Sequence, residues 1–320
     1  MKKKLLLIKN PAAGVTILKV KDTDLVQLLS IGYYVDVYHT KGKYDAMDVA
    51  ARRGADYDTV AAWGGDGTIN EVISGLMKIP SENRAALLCI PAGTTNQLAD
   101  AIGLPLDMLE AALVGVTGAL HPLDVGMIDD VSFATAVSFG VFTDSSYDTP
   151  QALKNLFGYP AYFMGAIRSL PELRSYKMTI SANGESFGDE YILGAVSNVL
   201  SVGGLIRMRE GAVKTDDGLF EVVLIKKPQT PGNMLKILTD VAMQEYDMKS
   251  IKVFHSDHIK MEIDEEIPWT VDGEYRKDFG SVDIKLLPGA IRVYRPNIPE
   301  LYKSNYQREY DLWAYMNHTM

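Results

Sequence analysis

A glycine-rich segment with one acidic residue carries the clearest chemical signal in this sequence. Residues Gly64 to Thr68 are Gly-Gly-Asp-Gly-Thr, and they follow the apolar run Val60–Trp63. Glycines adopt backbone torsions closed to other residues and approach a ligand closely, while a helix beginning near Ile69 would offer N–H groups to a phosphate. Asp66 beside an anion indicates a bound cation or a role in orienting the loop. The alternative is a strand-to-helix turn in which Asp66 is a local cap.

Carboxylates elsewhere in the chain are candidates because phosphoryl transfer needs charge neutralisation and an acceptor for the hydroxyl proton. The segments 272–274 (Asp-Gly-Glu) and 216–218 (Asp-Asp-Gly) both have compositions typical of β-turns. Asp124 lies between two apolar residues, where the alternative interpretation is a polar strand end. From the residues alone, a simple turn is the favoured interpretation of segment 272–274.

Composition restricts the class of protein. A length of 320 residues suggests two domains, and 47% hydrophobic against 23% charged residues allows a sizeable core. No apolar run approaches the ~20 residues that span a bilayer. Lys and Arg number 32 while Asp and Glu number 41, so the net charge of -9 argues against broad nucleic-acid binding. Cys89 is the only cysteine, which excludes an intrachain disulfide and fits a reducing, cytoplasmic location.

In the first third of the chain, short apolar runs alternate with helical patterns. This alternation predicts βα units and a parallel sheet with helices on both faces. The predicted strands, all expected to be buried, are Leu5–Ile8, Tyr34–Tyr38, Val60–Trp63 and Leu87–Ile90. The predicted helices are Asp24–Ser30, Asp45–Arg53 and Asn70–Met77. Ligands bind beyond the carboxyl ends of such strands, so the loops 10–14, 64–68 and 91–96 are the candidate site.

From about residue 131 the pattern predicts a second, β-rich domain. The predicted strands are Ser132–Val141, Lys177–Ala182, Tyr191–Val199, Leu219–Ile225, Ile251–Ile263, Val282–Leu287 and Ala290–Tyr294, several of them separated by turn residues. Helices are expected near Ala161–Leu170 and Met234–Met243. We therefore divide the chain into domains 1–127 and 128–297, followed by a Tyr-rich tail, 298–320, which we expect to pack on the first domain.

Three loops together resemble the diacylglycerol kinase catalytic family, which includes sphingosine kinases and bacterial soluble lipid kinases. They are residues 10–14 (Asn-Pro-Ala-Ala-Gly), 64–68, and 91–96 (Pro-Ala-Gly-Thr-Thr-Asn), and the resemblance covers nearly all of residues 1–295. NAD kinases and 6-phosphofructokinases share the loop at 64–68. The resemblance implies an α/β first domain with a parallel sheet of the NAD kinase type, followed by a β-sandwich domain. The family usually has Asp after the third loop, where this chain has Gln97.

The same resemblance implies a role for individual residues. Glu274 is the implied general base, and Asp66 and Asp124 are the accompanying catalytic carboxylates. The implied nucleotide-binding residues are Asn10, Thr40, Gly64, Gly65, Asp66, Gly67, Thr68, Ile69, Asn70 and Thr94. A structural Mg²⁺ is implied at Asp217, with backbone carbonyls near Lys214 and Leu219. For Thr40, an ordinary turn residue is an equally favoured interpretation.

The function expected from this resemblance is ATP- and Mg²⁺-dependent phosphorylation of a lipid alcohol, with diacylglycerol as the expected acceptor. Such an enzyme would be cytoplasmic and in transient, peripheral contact with a membrane, and exposed strands of the second domain allow a homodimer. The alternatives are an NAD kinase and an inactive nucleotide-binding regulatory protein. The loop at residues 10–14 favours the lipid kinases over NAD kinases, and the presence of Asp217 and Glu274 argues against lost catalysis.

Overall fold

The structure is a computed structural model that describes residues 2–13, 20–140, 174–199, 201–202, 206–207, 214–243 and 249–297. Gly14, the helix expected near Ala161–Leu170 and the tail from residue 298 lie outside these ranges. The chain forms two compact units, one from Met1–Leu123 together with the residues from Gly289 onward, the other from Asp124–Pro288. No described helix has both the length and the apolar character needed to cross a membrane.

The first unit is built on a parallel sheet flanked by helices. Its strands are β1 (Lys3–Lys9), β2 (Tyr33–His39), β3 (Thr59–Gly64), β4 (Ala86–Pro91), the first part of β5 (Ala119–Ile128) and the last part of β17 (Val282–Arg295). Its helices are α1 (Asp22–Leu29), α2 (Asp45–Arg53), α3 (Asp66–Met77), α4 (Gln97–Ala101) and α5 (Met108–Thr117). The strand order is β17-β4-β3-β1-β2, with parallel pairing throughout.

The four strands predicted for the first third of the chain are confirmed, but one of them is not buried. β3 and β4 are buried along their whole length, because each has a neighbour on both sides and apolar residues pointing to both faces. Among the described strands, β2 pairs only with β1 and so lies at the edge of the sheet, and Tyr34 is 64% exposed. The apolar character of Tyr34–Tyr38 therefore does not indicate a buried strand.

The predicted start of α3 is also wrong by one turn. The helix begins at Asp66, directly after Gly65, which is its N-cap residue with φ of -80°. Thr68 and Ile69 both donate their N–H groups to the carbonyl of Gly65, at 3.0 and 3.1 Å. Most of the Gly-Gly-Asp-Gly-Thr segment is thus the first turn of a helix rather than a loop. The helix predicted at Asp45–Arg53 is confirmed with those bounds.

The second unit is β-rich, with antiparallel pairing. Its strands are the last part of β5, β6 (Val131–Phe133), β7 (Ala136–Gly140), β8 (Tyr176–Ala182), β9 (Glu185–Ser197), β10 (Ser201–Val202), β11 (Ile206–Arg207), β12 (Phe220–Lys226), β13 (Ile251–Ser256), β14 (His258–Ile263), β15 (Ile267–Val271), β16 (Glu274–Phe279) and the first part of β17. One helix, α6 (Pro231–Met243), matches the helix expected near Met234–Met243. The order is β16-β15-β7-β9-β8-β14-β17, with β12 bonded to β9 and β13.

An apolar core with an aromatic centre holds this second unit together. Trp269 is fully buried, and its ring meets those of Phe139 and Phe279 edge-on, at centroid distances of 5.0 and 6.5 Å. Such edge-to-face pairs contribute about 0.5–1.5 kcal/mol beyond the burial of their area. β8 shows the expected alternation of buried and exposed residues. The predicted fold class, an α/β unit with a parallel sheet and a β-rich second unit, is confirmed.

Several strands of the second unit differ from the sequence prediction. The strand predicted at Ser132–Val141 is divided into β6 and β7, and the one at Ile251–Ile263 is divided into β13 and β14 at Asp257. β17 instead runs through the predicted turn at residues 288–289. β5, β15 and β16 have no counterpart in the prediction. β15 contains Pro268 and β16 is mostly polar, so neither has an apolar run that marks it as a strand.

Candidate active site

The carboxyl ends of the parallel strands bring the predicted nucleotide residues to one edge of the first unit's sheet. Asn10 follows β1, and Thr40 follows β2, where its N–H donates to the carbonyl of Lys9 at 2.8 Å. The N–H of Ala92, after β4, donates to the carbonyl of Gly64 at 2.8 Å. Because all four strands run parallel, the loops after them lie side by side at this edge.

Two glycines allow the loops after β3 and β4 to touch through their backbones. A Cβ atom added to Gly93 would lie 2.7 Å from the Cα of Gly65, and one added to Gly65 would lie 3.2 Å from the Cα of Gly93. A Cβ on Gly64 would lie 2.5 Å from the side chain of Thr68. None of these glycines has a positive φ. The glycines are therefore required by close backbone approach, and our interpretation that they supply unusual torsions is wrong.

Asp66 does not cap its own helix. Its Oδ2 accepts a hydrogen bond from the hydroxyl of Thr95 at 2.8 Å, and its buried Oδ1 has no hydrogen-bond partner among the described residues. A carboxylate in the first turn is favourable for the helix dipole, but an unpaired buried oxygen is costly. The geometry thus favours an oxygen that serves a ligand or cation over the local-cap alternative.

The buried side-chain amide of Asn70 is a further feature of this edge that suits a polar ligand. It is 7% exposed, and neither its Nδ2 nor its Oδ1 has a hydrogen-bond partner in the described parts of the chain. Leaving a buried polar group unpaired typically costs about 1–3 kcal/mol. Nearby, Asn10 Nδ2 donates to Thr68 Oγ1 at 3.0 Å. The unpaired amide and the cradle formed at Gly65 and Gly93 fit a polar, phosphate-bearing ligand.

In the second unit, Asp124 supports the turn that was predicted to hold a metal. Asp124 lies in β5 and is 1% exposed. Its Oδ2 accepts from the N–H of Gly218 at 2.8 Å, and its own N–H donates to the carbonyl of Thr215 at 2.8 Å. Asp217 is exposed, and its Oδ1 accepts from the N–H of Leu219 at 3.1 Å. Asp124 thus fixes the turn at residues 214–219 from within the unit.

Glu274 follows a tight hairpin turn. Asp272 and Gly273 have φ of 51° and 81°, and Val271 pairs with Glu274 across the turn. Two positive φ values identify a type I′ hairpin, for which Asp-Gly is a preferred sequence. The turn interpretation is therefore confirmed, and Glu274 is the exposed first residue of β16. A type I′ turn at residues 272–273 does not prevent the next residue, Glu274, from acting in catalysis.

Comparison with known proteins decides the family. Residues 4–128 match the family model described as the diacylglycerol kinase catalytic domain, and residues 135–295 match the YegS C-terminal NAD kinase beta sandwich-like domain. A diacylglycerol kinase of Bacillus subtilis is 32% identical over 273 residues, covering 84% of this chain and 89% of that protein. One of Staphylococcus saprophyticus is 32% identical over 279 residues, covering 86% and 90%.

The chain belongs to the diacylglycerol kinase family. A solved structure of a diacylglycerol kinase from Bacillus anthracis is similar with a TM-score of 0.71 and 25% identity, covering 92% of this chain and 97% of that one. An NAD kinase from Archaeoglobus fulgidus in complex with ATP has a TM-score of 0.50 and 10% identity, covering 94% and 97%. This second likeness shows a shared fold and nothing about substrate.

The residues predicted to bind the nucleotide differ in their burial and in their hydrogen bonds. Ile69 is fully buried and its N–H bonds within the helix, so it supports α3 rather than reaching a ligand through its side chain. Thr94 is exposed, and it is the neighbouring Thr95 that bonds to Asp66. Thr40 is half-buried beside the edge. The roles of these residues in binding stay predictions.

Sequence reasoning missed the residues that shape the third loop. Asn96 has a φ of 49°, accepts from the N–H of Gly93 through Oδ1 and donates through Nδ2 to the carbonyl of Gly93, both at 2.9 Å. These two hydrogen bonds fix the backbone of Gly93, the residue that contacts Gly65. Asn and Gly are both typical turn residues, but the contact partner of each depends on the fold. Gln97, where the family usually has Asp, begins α4 directly afterwards.

The donor set at residues 214–219 fits a hard cation. Asp217 and the turn carbonyls offer only oxygen, which Mg²⁺ and Ca²⁺ prefer. Burial raises the pKa of the nearby Glu221 carboxyl to about 8, and the charge of Asp217 adds to that rise. A carboxyl with that pKa is largely neutral at pH 7, so the negative charge offered to a cation at this turn would come from the exposed aspartates rather than from Glu221. In the described part of the chain, no group of three or more His, Cys, Asp or Glu residues forms a metal centre, so carbonyl oxygens and water would have to complete the shell.

Proposed function

We propose that this protein is an ATP- and Mg²⁺-dependent lipid kinase that transfers the γ-phosphate to the hydroxyl of a lipid alcohol, with diacylglycerol as its acceptor. The observation that carries the proposal is the edge of the first unit, where Gly65 and Gly93 meet and where the buried amide of Asn70 has no partner among the described residues. Membership of the diacylglycerol kinase family supports a lipid rather than a dinucleotide as the acceptor.

The residues of the first unit bind and orient the nucleotide in this proposal. Gly64, Gly65, Gly67 and Thr68 surround the triphosphate with backbone N–H groups and a hydroxyl, and the dipole of α3 favours its negative charge. The side chain of Asn70 gains the partners that it lacks among the described residues. The remaining nucleotide-binding residues in the proposal are Asn10, Thr40, Asp66, Ile69 and Thr94, with Ile69 acting by supporting the first turn of α3.

Three carboxylates carry the chemistry. Glu274 takes the proton of the lipid hydroxyl, which makes the oxygen a better nucleophile as the phosphoryl group is transferred. The Oδ1 of Asp66, which has no partner among the described residues, would hold the cation that accompanies the nucleotide, and a bound Mg²⁺ would neutralise phosphate charge. Asp124 acts by holding the turn at 214–219, through the bonds to Gly218 and Thr215.

The lipid substrate places further requirements on the protein. A diacylglycerol acceptor is available only at a membrane, so the enzyme works as a cytoplasmic protein in transient, peripheral contact with the lipid surface. With a net charge of -9, that contact depends on local rather than overall charge. We also propose a homodimer, since a β-rich second unit with exposed strands allows two copies to pair symmetrically.

The proposal predicts that labelled γ-phosphate passes from ATP to diacylglycerol in mixed micelles, and that removing Mg²⁺ with a chelator stops the transfer. Ceramide, a sphingoid base and NAD serve as competing acceptors under the same conditions. We expect diacylglycerol to give the highest rate and NAD none. Transfer to NAD would establish the NAD-kinase alternative, and ATP binding without transfer to any acceptor would favour a regulatory protein.

A second prediction concerns the turn at residues 214–219. Asp217→Ala should reduce the Mg²⁺ retained after dialysis and lower both the melting temperature and the turnover, because the carboxylate assigned to the implied site is removed. Metal content is measured by atomic emission. Asp264→Ala, which removes an exposed carboxylate elsewhere in the same unit, is the matched control. Unchanged metal content in both Asp217→Ala and Asp216→Ala would exclude a site at this turn.

A further inference from the structure

The carboxylate of Asp272 is held by an unusual number of donors. Its Oδ1 accepts from the N–H and the hydroxyl of Thr135, both at 2.7 Å, and from the N–H of Ala136 at 3.2 Å. Its Oδ2 accepts from the N–H of Ala134 at 3.1 Å. We call Asp272 with these three residues the Asp272 clamp. Burial raises the pKa of the Asp272 carboxyl, and the clamp's donors oppose that rise.

The clamp explains why β6 and β7 are separate strands. The N–H groups of three successive residues turn toward one carboxylate instead of pairing in a ladder. The N–H of Asp272 in turn donates to the carbonyl of Ala136 at 2.8 Å. A carboxylate that already accepts this many hydrogen bonds from the chain has few lone pairs left for a metal ion or a water molecule. We therefore assign the Asp272 carboxylate to holding the turn before Glu274.

A second hairpin in the same unit shows that a turn of this type needs no clamp. Asn183 and Gly184 have φ of 54° and 77°, and Glu185 follows them, paired with Ala182. The side chain of Asn183 makes a single bond, from Nδ2 to the carbonyl of His255 at 2.7 Å. The additional bonds at Asp272 are thus not required to form a type I′ turn, and they point to a requirement for its exact placement in the unit.

Thr135 is anchored on its other side to two further strands. It is 2% exposed, and its carbonyl accepts from the N–H of Asn198 at 2.8 Å and from the hydroxyl of Ser197 at 3.3 Å. Asn198 is fully buried and donates through Nδ2 to the carbonyl of Asp124 at 2.9 Å. A continuous chain of buried and partly buried hydrogen bonds therefore runs from β5 through Asn198 and Thr135 to the turn before Glu274.

We propose that Thr135 is a positioning residue for Glu274: its hydroxyl and N–H fix the Asp272 carboxylate and hence the turn from which Glu274 begins β16. The inference rests on the proposed function, in which Glu274 is the general base. A base must lie within hydrogen-bond reach of the proton it takes, and a displacement of about 1 Å can cost about 10²-fold in rate. Thr135 acts through Asp272 and touches no reacting group.

The test compares Thr135→Val with Thr135→Ser in the full-length protein, using phosphate transfer from ATP to saturating diacylglycerol. Valine keeps the shape of threonine but loses the hydroxyl donor, whereas serine keeps it. We expect Thr135→Val to lower kcat about tenfold, as for loss of one hydrogen bond to a charged group. KM for ATP should stay within about twofold, because the nucleotide residues are untouched, and Thr135→Ser should remain close to wild type.

Thr270→Val is the matched control. The hydroxyl of Thr270 lies 2.7 Å from that of Ser138, so this pair also joins β15 to β7, but it does not touch Asp272. We expect its melting temperature to fall about as far as that of Thr135→Val, with kcat retained. If Thr270→Val lowers kcat as much as Thr135→Val does, the effect is general destabilisation and the positioning role is overturned.

Two further measurements separate this inference from the proposed function. If Glu274→Gln loses activity while Thr135→Val keeps wild-type kcat, the positioning role alone is overturned. If Glu274→Gln itself keeps wild-type kcat, the assignment of the base fails first. Should Thr135→Val not fold, Asp272→Asn takes its place, since asparagine suits the positive φ but cannot accept from all the clamp's donors. We expect about a tenfold lower kcat, and a wild-type value would overturn the inference.

Discussion

Glu274→Gln should lower kcat by about 10²–10⁴-fold, the range typical for loss of a general base. Glutamine keeps the size of the side chain and its hydrogen-bonding shape but cannot take up a proton. KM for ATP should hardly change, because the nucleotide-binding residues lie in the first unit and Glu274 in the second. The measurement is steady-state kinetics of lipid phosphorylation with diacylglycerol at saturation.

The chain offers a closely matched control for this variant. Glu185 is also the exposed first residue of a strand after a type I′ turn in the same unit, so Glu185→Gln makes the same chemical change in the same backbone setting. We expect it to be fully active. Near-normal turnover of Glu274→Gln would mean that segment 272–274 is only a turn and that the proton goes elsewhere.

Asp66→Ala should reduce phosphate transfer by at least about 10²-fold while the protein remains folded. The carboxylate is half-buried at the start of α3, bonded to Thr95 on one oxygen and unpaired among the described residues on the other. Its loss removes a charge that we assign to cation binding rather than a contact of the apolar core. Activity and the melting temperature are measured together, so that unfolding is not mistaken for lost chemistry.

Two variants isolate the role of this carboxylate. Thr95→Val removes the hydrogen bond to Asp66 but keeps the charge, and we expect an effect of only a few fold. Asp24→Ala removes an aspartate from the first turn of α1, where it has the same favourable interaction with a helix dipole, and should leave activity unchanged. Activity of Asp66→Ala within a few fold of wild type would show that the nucleotide-loop assignment is wrong.

Local patterns in the sequence were enough to predict much of the fold. Apolar runs of four to five residues identified β1, β3 and β4, and the alternation with helical segments implied their parallel arrangement. The same reasoning failed where burial depends on position in the sheet. Tyr34 belongs to an apolar run like the others, but β2 is at the edge. Strand order is a long-range property that such a run does not contain.

The candidate site, like the fold, could be predicted only in part from local sequence. Residue types and a resemblance to a family were sufficient to propose Gly65, Asp66 and Asn70 as parts of a phosphate site. The reason for the glycines became apparent only from the contact between Gly65 and Gly93, 28 positions apart in the chain. No torsion signal in the sequence reveals it, since neither residue has a positive φ.

The local sequence is sufficient to predict the turn at residues 272–273, because Asp-Gly is a preferred pair for a type I′ hairpin turn. What the Asp272 side chain binds depends on long-range contacts. Thr135 is 137 positions away, and the two meet because β15 pairs with β7 in a register that sets Val271 opposite Val137. That register follows from the packing of the whole second unit rather than from either segment. The position of Glu274 is therefore encoded locally as a turn and fixed non-locally by the Asp272 clamp.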